Sequence, residues 1–174
     1  GGKMHIPAIS TKASVELIKQ AKAKGFQITA GVPAVNLLLD DSALNEFDTN
    51  VKLNPPLRTK DEMDALKKGL INGTIDVVIS DHTPEDVENK QLEFDLAHNG
   101  MISLETTYAC LQTAMGNKLE PEASVNILAV NPRKILGMPL PVIKEGEKAN
   151  LTIFDPEFEW TFDAAHIKSK SDNT

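Results

Sequence analysis

Short apolar runs alternate with segments of helical periodicity along the first half of the chain. Three of these runs predict strands, at Met4–Ile9, Phe26–Val32 and Ile75–Ile79. Between the second and third run, Met63, Leu66 and Leu70 share one helical face, and Gly73 is placed to end that helix. Strands separated by helices predict a parallel sheet with crossover helices, so the fold class is α/β.

Residues at the expected helix ends support the same interpretation. Thr11 is a candidate cap for a helix that follows the first strand. Thr59 and Glu62 have the spacing of a capping box. Pro121 stands at a first-turn position and predicts a helix through Ala129.

The pattern changes after Asn131-Pro132-Arg133. Residues from Val142 to Phe162 look rich in β-strand, with Pro156 interrupting the run. We therefore expect a boundary near residue 140, which divides the chain into 1–140 and 141–174. The polar tail, Lys168–Thr174, is predicted to be loose.

The composition argues against nucleic-acid binding, an internal disulfide and a membrane segment. The chain has 174 residues, a formal net charge of −7 and only 5% aromatic residues, which argues against nucleic-acid binding. Cys110 is the single cysteine, so no internal disulfide can form and a reducing compartment is expected. No run approaches the ~20 apolar residues that cross a bilayer. These features predict a cytoplasmic protein without a membrane segment.

Asp81 and His82 follow the third predicted strand directly. Carboxyl ends of parallel strands carry the sites of α/β proteins, so Asp81 is a candidate metal ligand and proton acceptor, and His82 a candidate substrate ligand. The alternative is that Asp81 caps a turn and His82 is a solvated loop residue. The four histidines are scattered and form no His-x-His or His-Glu-x-x-His pair.

A second candidate is the loop Asn54-Pro55-Pro56-Leu57-Arg58. Its two prolines restrict the backbone, which would hold Asn54 and Arg58 in a fixed relation. An amide and a guanidinium suit recognition of a small carboxylated or cyclic-amide substrate. The alternative is a helix-entry segment in which Arg58 pairs with a surface acid.

Several segments taken together resemble the C-terminal portion of dihydroorotases of the amidohydrolase superfamily. The segments, in chain order, are His5–Thr11, Ser14–Ile18, Asp48–Arg58, Gly73–Asp76, Ser80–His82, Ser103–Thr106 and Asn131–Arg133.

The resemblance implies part of a (β/α)₈ TIM-type barrel, plus part of a small β-sandwich. It also implies zinc-dependent, reversible hydrolysis of dihydroorotate to carbamoyl aspartate in pyrimidine biosynthesis. Asp81 would be the metal ligand and catalytic base, and Asn54, Arg58 and His82 would bind substrate. A complete barrel takes about 250 residues, so we expect the chain to be a fragment that is inactive on its own, with most metal ligands upstream of residue 1.

The chain departs from the family pattern at four places. These are Ala8 where the family has a metal-binding histidine, Ala34-Val35-Asn36 for Pro-His-His, Glu85 for a substrate-contacting histidine, and Ala97-His98-Asn99-Gly100 in the substrate loop. His5 cannot replace the histidine at position 8, because a shift of three along a strand reverses the side-chain face. An acid at Glu85 would repel an anionic substrate.

Three hypotheses follow. The chain belongs to a dihydroorotase-type hydrolase with impaired zinc binding and activity, or to a non-catalytic relative that serves as a structural or regulatory partner of aspartate transcarbamoylase. The third is a protein that binds a small molecule in the same pocket without turnover. In each case exposed edges of parallel strands need covering, so we expect an oligomer or a further part of the protein at those edges.

Overall fold

The computed structural model describes residues 1–174, the side chain of Asn117 excepted. Its centre is a three-stranded parallel sheet in the order β1-β2-β3. The strands are β1 (Met4–Ile6), β2 (Ile28–Pro33) and β3 (Val77–Ile79). The predicted α/β class with a parallel sheet is confirmed, and all three strands present their carboxyl ends at one edge.

Helices connect and flank the strands. They are α1 (Lys12–Ala23), α2 (Val35–Leu38), α3 (Lys60–Ile71), α4 (Val87–Lys90), α5 (Thr107–Met115), α6 (Pro121–Val125), a π-helical segment (Asn126–Val130) and α7 (Asn131–Ile135). Short 3₁₀ turns lie at Asp41–Leu44, Thr49–Val51, Gly116–Lys118 and Ala164–His166. None of these helices has the length and apolar character required to cross a membrane.

Capping follows the prediction at α1 but not at α3. Thr11 Oγ1 accepts a hydrogen bond from Ser14 N at 3.1 Å, as expected of an N-cap. Thr59 is the residue before α3, yet its side chain makes no capping hydrogen bond. The Glu62 carboxylate instead accepts from the backbone N–H of Lys12. The predicted capping box is therefore wrong, because Glu62 satisfies a free donor at the start of the neighbouring helix.

Asp76 connects the sheet to the neighbouring helices through hydrogen bonds and an ion pair. One carboxylate oxygen accepts from the backbone N–H of Ala30 at 2.8 Å, and the same carboxylate pairs with Lys22 Nζ at 2.8 Å. Its backbone carbonyl accepts from Asn131 Nδ2 at 2.9 Å. A residue just before β3 thus joins β2, α1 and the start of α7.

The core lies between the sheet and its helices, and it is apolar. Its most buried members include Ala30, Val32, Leu37, Leu66, Ile75 and Leu111. Gly31, in the middle of β2, lets the segment after β1 cross close to the strand. A Cβ built on Gly31 would lie 2.4 Å from the carbonyl oxygen of Pro7, a distance that real Cβ atoms do not show. The approach of these two backbones therefore requires glycine.

The second half of the chain differs from the prediction. No helix or strand is formed by residues 136–163 of the described chain, so the β-rich segment and the β-sandwich are not confirmed. Phe154 packs edge-on against Tyr108 of α5, with ring centroids 4.9 Å apart. The boundary at residue 140 stays a prediction.

The prediction of a loose tail at Lys168–Thr174 is wrong. Asn173, near the end of this segment, is buried with only 2% of its surface exposed.

Replacing Gly31 with alanine tests the close approach. Because the added methyl group meets backbone rather than a flexible side chain, we expect Gly31→Ala to lower the free energy of unfolding by about 3 kcal/mol. Urea denaturation followed by circular dichroism measures the change. Gly2→Ala is the control, since a Cβ added at Gly2 would meet no atom within 4 Å. Equal stability of the two variants would contradict the packing described for β2.

Candidate functional site

The candidate site lies in the loop that leaves β3. Asp81 takes a positive φ of 54°, in the left-handed region that aspartate adopts more readily than most residues. This turn directs the chain away from the strand at the edge where the carboxyl ends of β1 and β2 also lie. Non-glycine residues in this conformation cluster at functional sites, and Asp81 lies two residues after the end of a parallel strand.

The carboxyl group of Asp81 is half-buried, and burial raises its pKa above the ordinary value. Its carboxylate accepts no hydrogen bond from the side chains and backbone groups that the structure describes. An acid in this state favours its protonated form more than a solvated aspartate does. It can therefore exchange a proton with a bound group closer to neutral pH.

His82 is fixed by the backbone beyond the loop. Its Nδ1 accepts hydrogen bonds from the N–H groups of Ser103 and Leu104, both at 3.1 Å. Its backbone forms a parallel bridge with Met101. Because Nδ1 is the acceptor, the neutral ring carries its proton on Nε2. His82 thus offers one N–H donor and is not a freely solvated loop residue.

Lys90 is buried and binds two backbone carbonyl groups of the loop. Only 5% of this residue is exposed, and its Nζ donates to the carbonyl oxygens of His98 at 3.0 Å and Gly100 at 2.9 Å. Burial lowers the pKa of Lys90, and the carboxylates of Glu85 and Asp48 oppose that shift. Sequence analysis missed this residue, because a lysine in a polar stretch gives no sign that it will be buried.

Glu85 is engaged within the same loop. One of its carboxylate oxygens, Oε2, lies 3.1 Å from His98 Nδ1 and 3.2 Å from Asn89 Nδ2. Glu85 stands where the family resemblance implies a substrate-contacting histidine. Its carboxylate is hydrogen-bonded to other side chains of the loop. This pairing offsets part of the repulsion that we expected it to exert on an anionic substrate.

Asn54 and Arg58 are both exposed. Arg58 Nε donates to the hydroxyl of Ser10 at 3.3 Å, which connects the loop to the segment that follows β1. Arg58 makes no ion pair with any acid among the described side chains, so the predicted alternative of a surface pair is not observed. No hydrogen bond or ion pair joins Asn54 or Arg58 to Asp81 within the described residues, and their role in binding stays a prediction.

The residues present do not fit a zinc site by themselves. Within the described side chains, no three His, Cys, Asp or Glu residues lie close enough to hold a metal ion. Just after β2, Val35 and Asn36 are buried, and Asn36 Oδ1 has no hydrogen-bond partner, whereas its Nδ2 donates to Pro56 O at 3.3 Å. One amide oxygen and one carboxylate do not form the nitrogen-rich or sulfur-rich donor set that zinc prefers.

Comparison with solved structures defines the class of protein. The L-hydantoinase (dihydropyrimidinase) of Arthrobacter aurescens matches with a TM-score of 0.70 and 26% identity, over 79% of this chain and 32% of that one. The dihydropyrimidinase of Brevibacillus agri NCHU1002 gives a TM-score of 0.72 and 27% identity, over 79% and 32%. No family model matches the chain. The chain thus matches about a third of the length of hydantoinase-like amidohydrolases in its fold.

Curated sequences identify the family within that class. The dihydroorotase of Thermoanaerobacter sp. (strain X514) is 43% identical over all of this chain, and that of Geobacter metallireducens is 41% identical over 98% of it. The chain belongs to the dihydroorotase family. It spans 41% of the length of each of these two relatives.

Replacing Asp81 tests the effect of its burial on stability. A raised pKa in the folded state means that this group's contribution to stability is lost as pH rises through the folded pKa. We therefore expect Asp81→Asn to raise the free energy of unfolding at pH 7 by up to about 1 kcal/mol, a figure limited by solvent screening. The gain should vanish below pH 3.8, the ordinary carboxyl value. Urea denaturation across this pH range measures it, with the exposed Asp172→Asn as control. A loss of stability at pH 7 would contradict the effect of burial.

The tautomer of His82 can be observed directly. With two backbone N–H groups directed at Nδ1, we expect the neutral ring to carry its proton on Nε2 in nearly all molecules. Nitrogen NMR of protein labelled at histidine, assigned with His82→Gln, distinguishes the two nitrogens. A proton found mainly on Nδ1 would contradict the hydrogen bonds from Ser103 and Leu104.

Proposed function

We propose that this chain forms part of a dihydroorotase-type hydrolase of impaired activity, acting on a cyclic amide within a TIM-type barrel. The substrate would be dihydroorotate, which is opened reversibly to carbamoyl aspartate. The observation that carries the proposal is Asp81, a strained, half-buried carboxyl group with a raised pKa, shortly after a parallel strand. The names of the relatives, dihydroorotase in both organisms, supply the substrate class.

The side chains suit the following roles. Asp81 takes a proton from the water that attacks the amide carbonyl, and that proton then goes to the nitrogen as the ring C–N bond breaks. His82 donates its Nε2–H to a substrate oxygen, because its Nδ1 is already occupied. Asn54 and Arg58 bind the substrate carboxylate, where a guanidinium can make two parallel hydrogen bonds.

Impairment is proposed from the donor set. Zinc is the metal that the family resemblance implies, yet Ala8 and Val35 offer no ligand atoms, and Asn36 offers only a buried amide. A catalytic zinc normally keeps three protein ligands, so each missing histidine weakens both metal binding and activation of water.

A second candidate is a non-catalytic partner of aspartate transcarbamoylase. One observation favours it, namely that the described chain keeps an apolar core while Ala8 and Val35 offer no ligand atoms to a metal. The inactive dihydroorotase-like domain of the CAD-like multifunctional protein of Chaetomium thermophilum is a structural neighbour, with a TM-score of 0.60 over 80% of this chain and 38% of that one. At 23% identity this likeness concerns the fold alone.

Metal content and turnover test the proposal on the full-length protein that contains this chain. We expect less than stoichiometric zinc by mass spectrometry after zinc supplementation, together with slow interconversion of dihydroorotate and carbamoyl aspartate. Asp81→Asn should reduce the residual rate by about 100-fold or more, because it removes the proton acceptor.

Each outcome of this experiment decides between the candidates. A turnover equal in wild type and Asp81→Asn would contradict the role of Asp81. Full zinc occupancy with rapid turnover would contradict impairment. No turnover above background, with aspartate transcarbamoylase bound in a co-purification experiment, would favour the partner role.

A further inference from the structure

The last seven residues, 168–174, lie across the site loop, and we call them the C-terminal strap. The loop has two branches, residues 83–85 after His82 and residues 102–105 before α5. The strap makes hydrogen bonds to both branches. Five hydrogen bonds join them, four of them between 2.8 and 3.1 Å and one at 3.3 Å. A polar segment of this kind is ordered here because the loop satisfies its backbone and side-chain groups.

Asn173 makes three of these hydrogen bonds. Its Nδ2 donates to the carbonyl oxygen of Thr83 at 3.1 Å, and its Oδ1 accepts from the N–H of Glu85 at 3.3 Å. Its backbone oxygen accepts from the N–H of Ile102 at 2.8 Å. Both ends of the buried amide are therefore used, and the residue bridges the two branches.

Glu105 holds the other end of the strap. Its Oε1 accepts from the N–H groups of Lys168 and Ser169, both at 3.0 Å. A carboxylate that accepts two backbone N–H groups makes strong, charge-assisted hydrogen bonds. The strap is thus attached at two points, one exposed and one buried.

The bridged branches are those that place His82. Thr83 follows His82 directly, and Ile102 precedes Ser103, whose N–H binds the ring. The separation of the two branches decides whether Nδ1 can reach the N–H groups of Ser103 and Leu104. Two direct hydrogen bonds also set this separation, from Thr83 N to Met101 O at 2.9 Å and from Ser103 Oγ to Ser80 O at 2.6 Å. Asn173 spans that separation without touching the ring, so it acts on the ring through the backbone.

We propose that Asn173 is a positioning residue for the site, which holds the loop so that His82 and the adjacent Asp81 keep their orientation. The proposal rests on the proposed function for its effect on catalysis, but its effect on the loop is independent of that function. The residue type matters, because only a side chain with both a donor and an acceptor can bind Thr83 O and Glu85 N together. Aspartate keeps the acceptor and loses the donor.

Hydrogen exchange of the full chain tests the effect on the loop. In Asn173→Ala we expect the backbone amides of Glu85, Ser103 and Leu104 to exchange about tenfold faster, since the side chain no longer joins the strap to Thr83 and Glu85. Asn173→Asp should give an intermediate increase. The control is Asp172→Ala, an exposed neighbour in the strap, which should change these rates by less than about twofold. Rates in Asn173→Ala that match those of wild type would overturn the proposal.

A second variant covers the case in which Asn173→Ala does not fold. Glu105→Ala removes the exposed attachment only, and we expect faster exchange at Ser169 with an increase of about threefold at Glu85. Faster exchange at Ser169 with none at Glu85 would overturn the proposal, because the strap would then be independent of the loop.

Turnover separates this inference from the proposed function. If wild type converts dihydroorotate, we expect Asn173→Ala to lower kcat by about tenfold with a smaller change in KM, and Asp172→Ala to leave both unchanged. If wild type shows no turnover, the proposed function fails while the exchange result still decides the role of Asn173. Loss of kcat without faster exchange at Ser103 and Leu104 would overturn the positioning role.

Discussion

The structure of the site depends on one constraint: the loop after β3 must satisfy its backbone polar groups while leaving the Asp81 carboxylate unpaired. Lys90 binds the carbonyl oxygens of two residues in the far branch, and Asn173 binds groups in both branches. Because these side chains complete the loop internally, its conformation does not need Asp81 as a cap. The carboxyl group is thus free for chemistry, although its burial is unfavourable.

The parallel sheet was predictable because its signals are local. An apolar run bounded by turn residues, or an apolar face repeated along α3, needs only neighbouring residues to be recognised. The capping box failed for the opposite reason. Glu62 finds its donor at Lys12, 50 residues away, and no local pattern reports that α1 begins beside α3.

The site was predictable only where it follows from strand position. Asp81 and His82 come directly after an apolar run, so their place at the sheet edge follows from the fold class. Lys90 and Asn173 gave no such signal. The side chain of Asn173 meets Thr83, 90 residues away, and a polar tail looks loose until its hydrogen-bond partners are known. The residues that hold a loop in place are therefore harder to predict than those that it presents.

Two costs to stability bear on the choice between hydrolase and partner. Asn36 keeps a buried amide oxygen without a hydrogen-bond partner, and Asp81 keeps a half-buried carboxyl group in a left-handed turn. Both groups lower the free energy of unfolding relative to an apolar or solvated replacement. In a purely structural partner neither group would serve a function. Substitutions that replace them would stabilise the fold, and such stabilising substitutions are readily available. A pocket that binds a polar ligand would have a use for both groups, so they agree better with the proposed hydrolase than with the proposed structural partner.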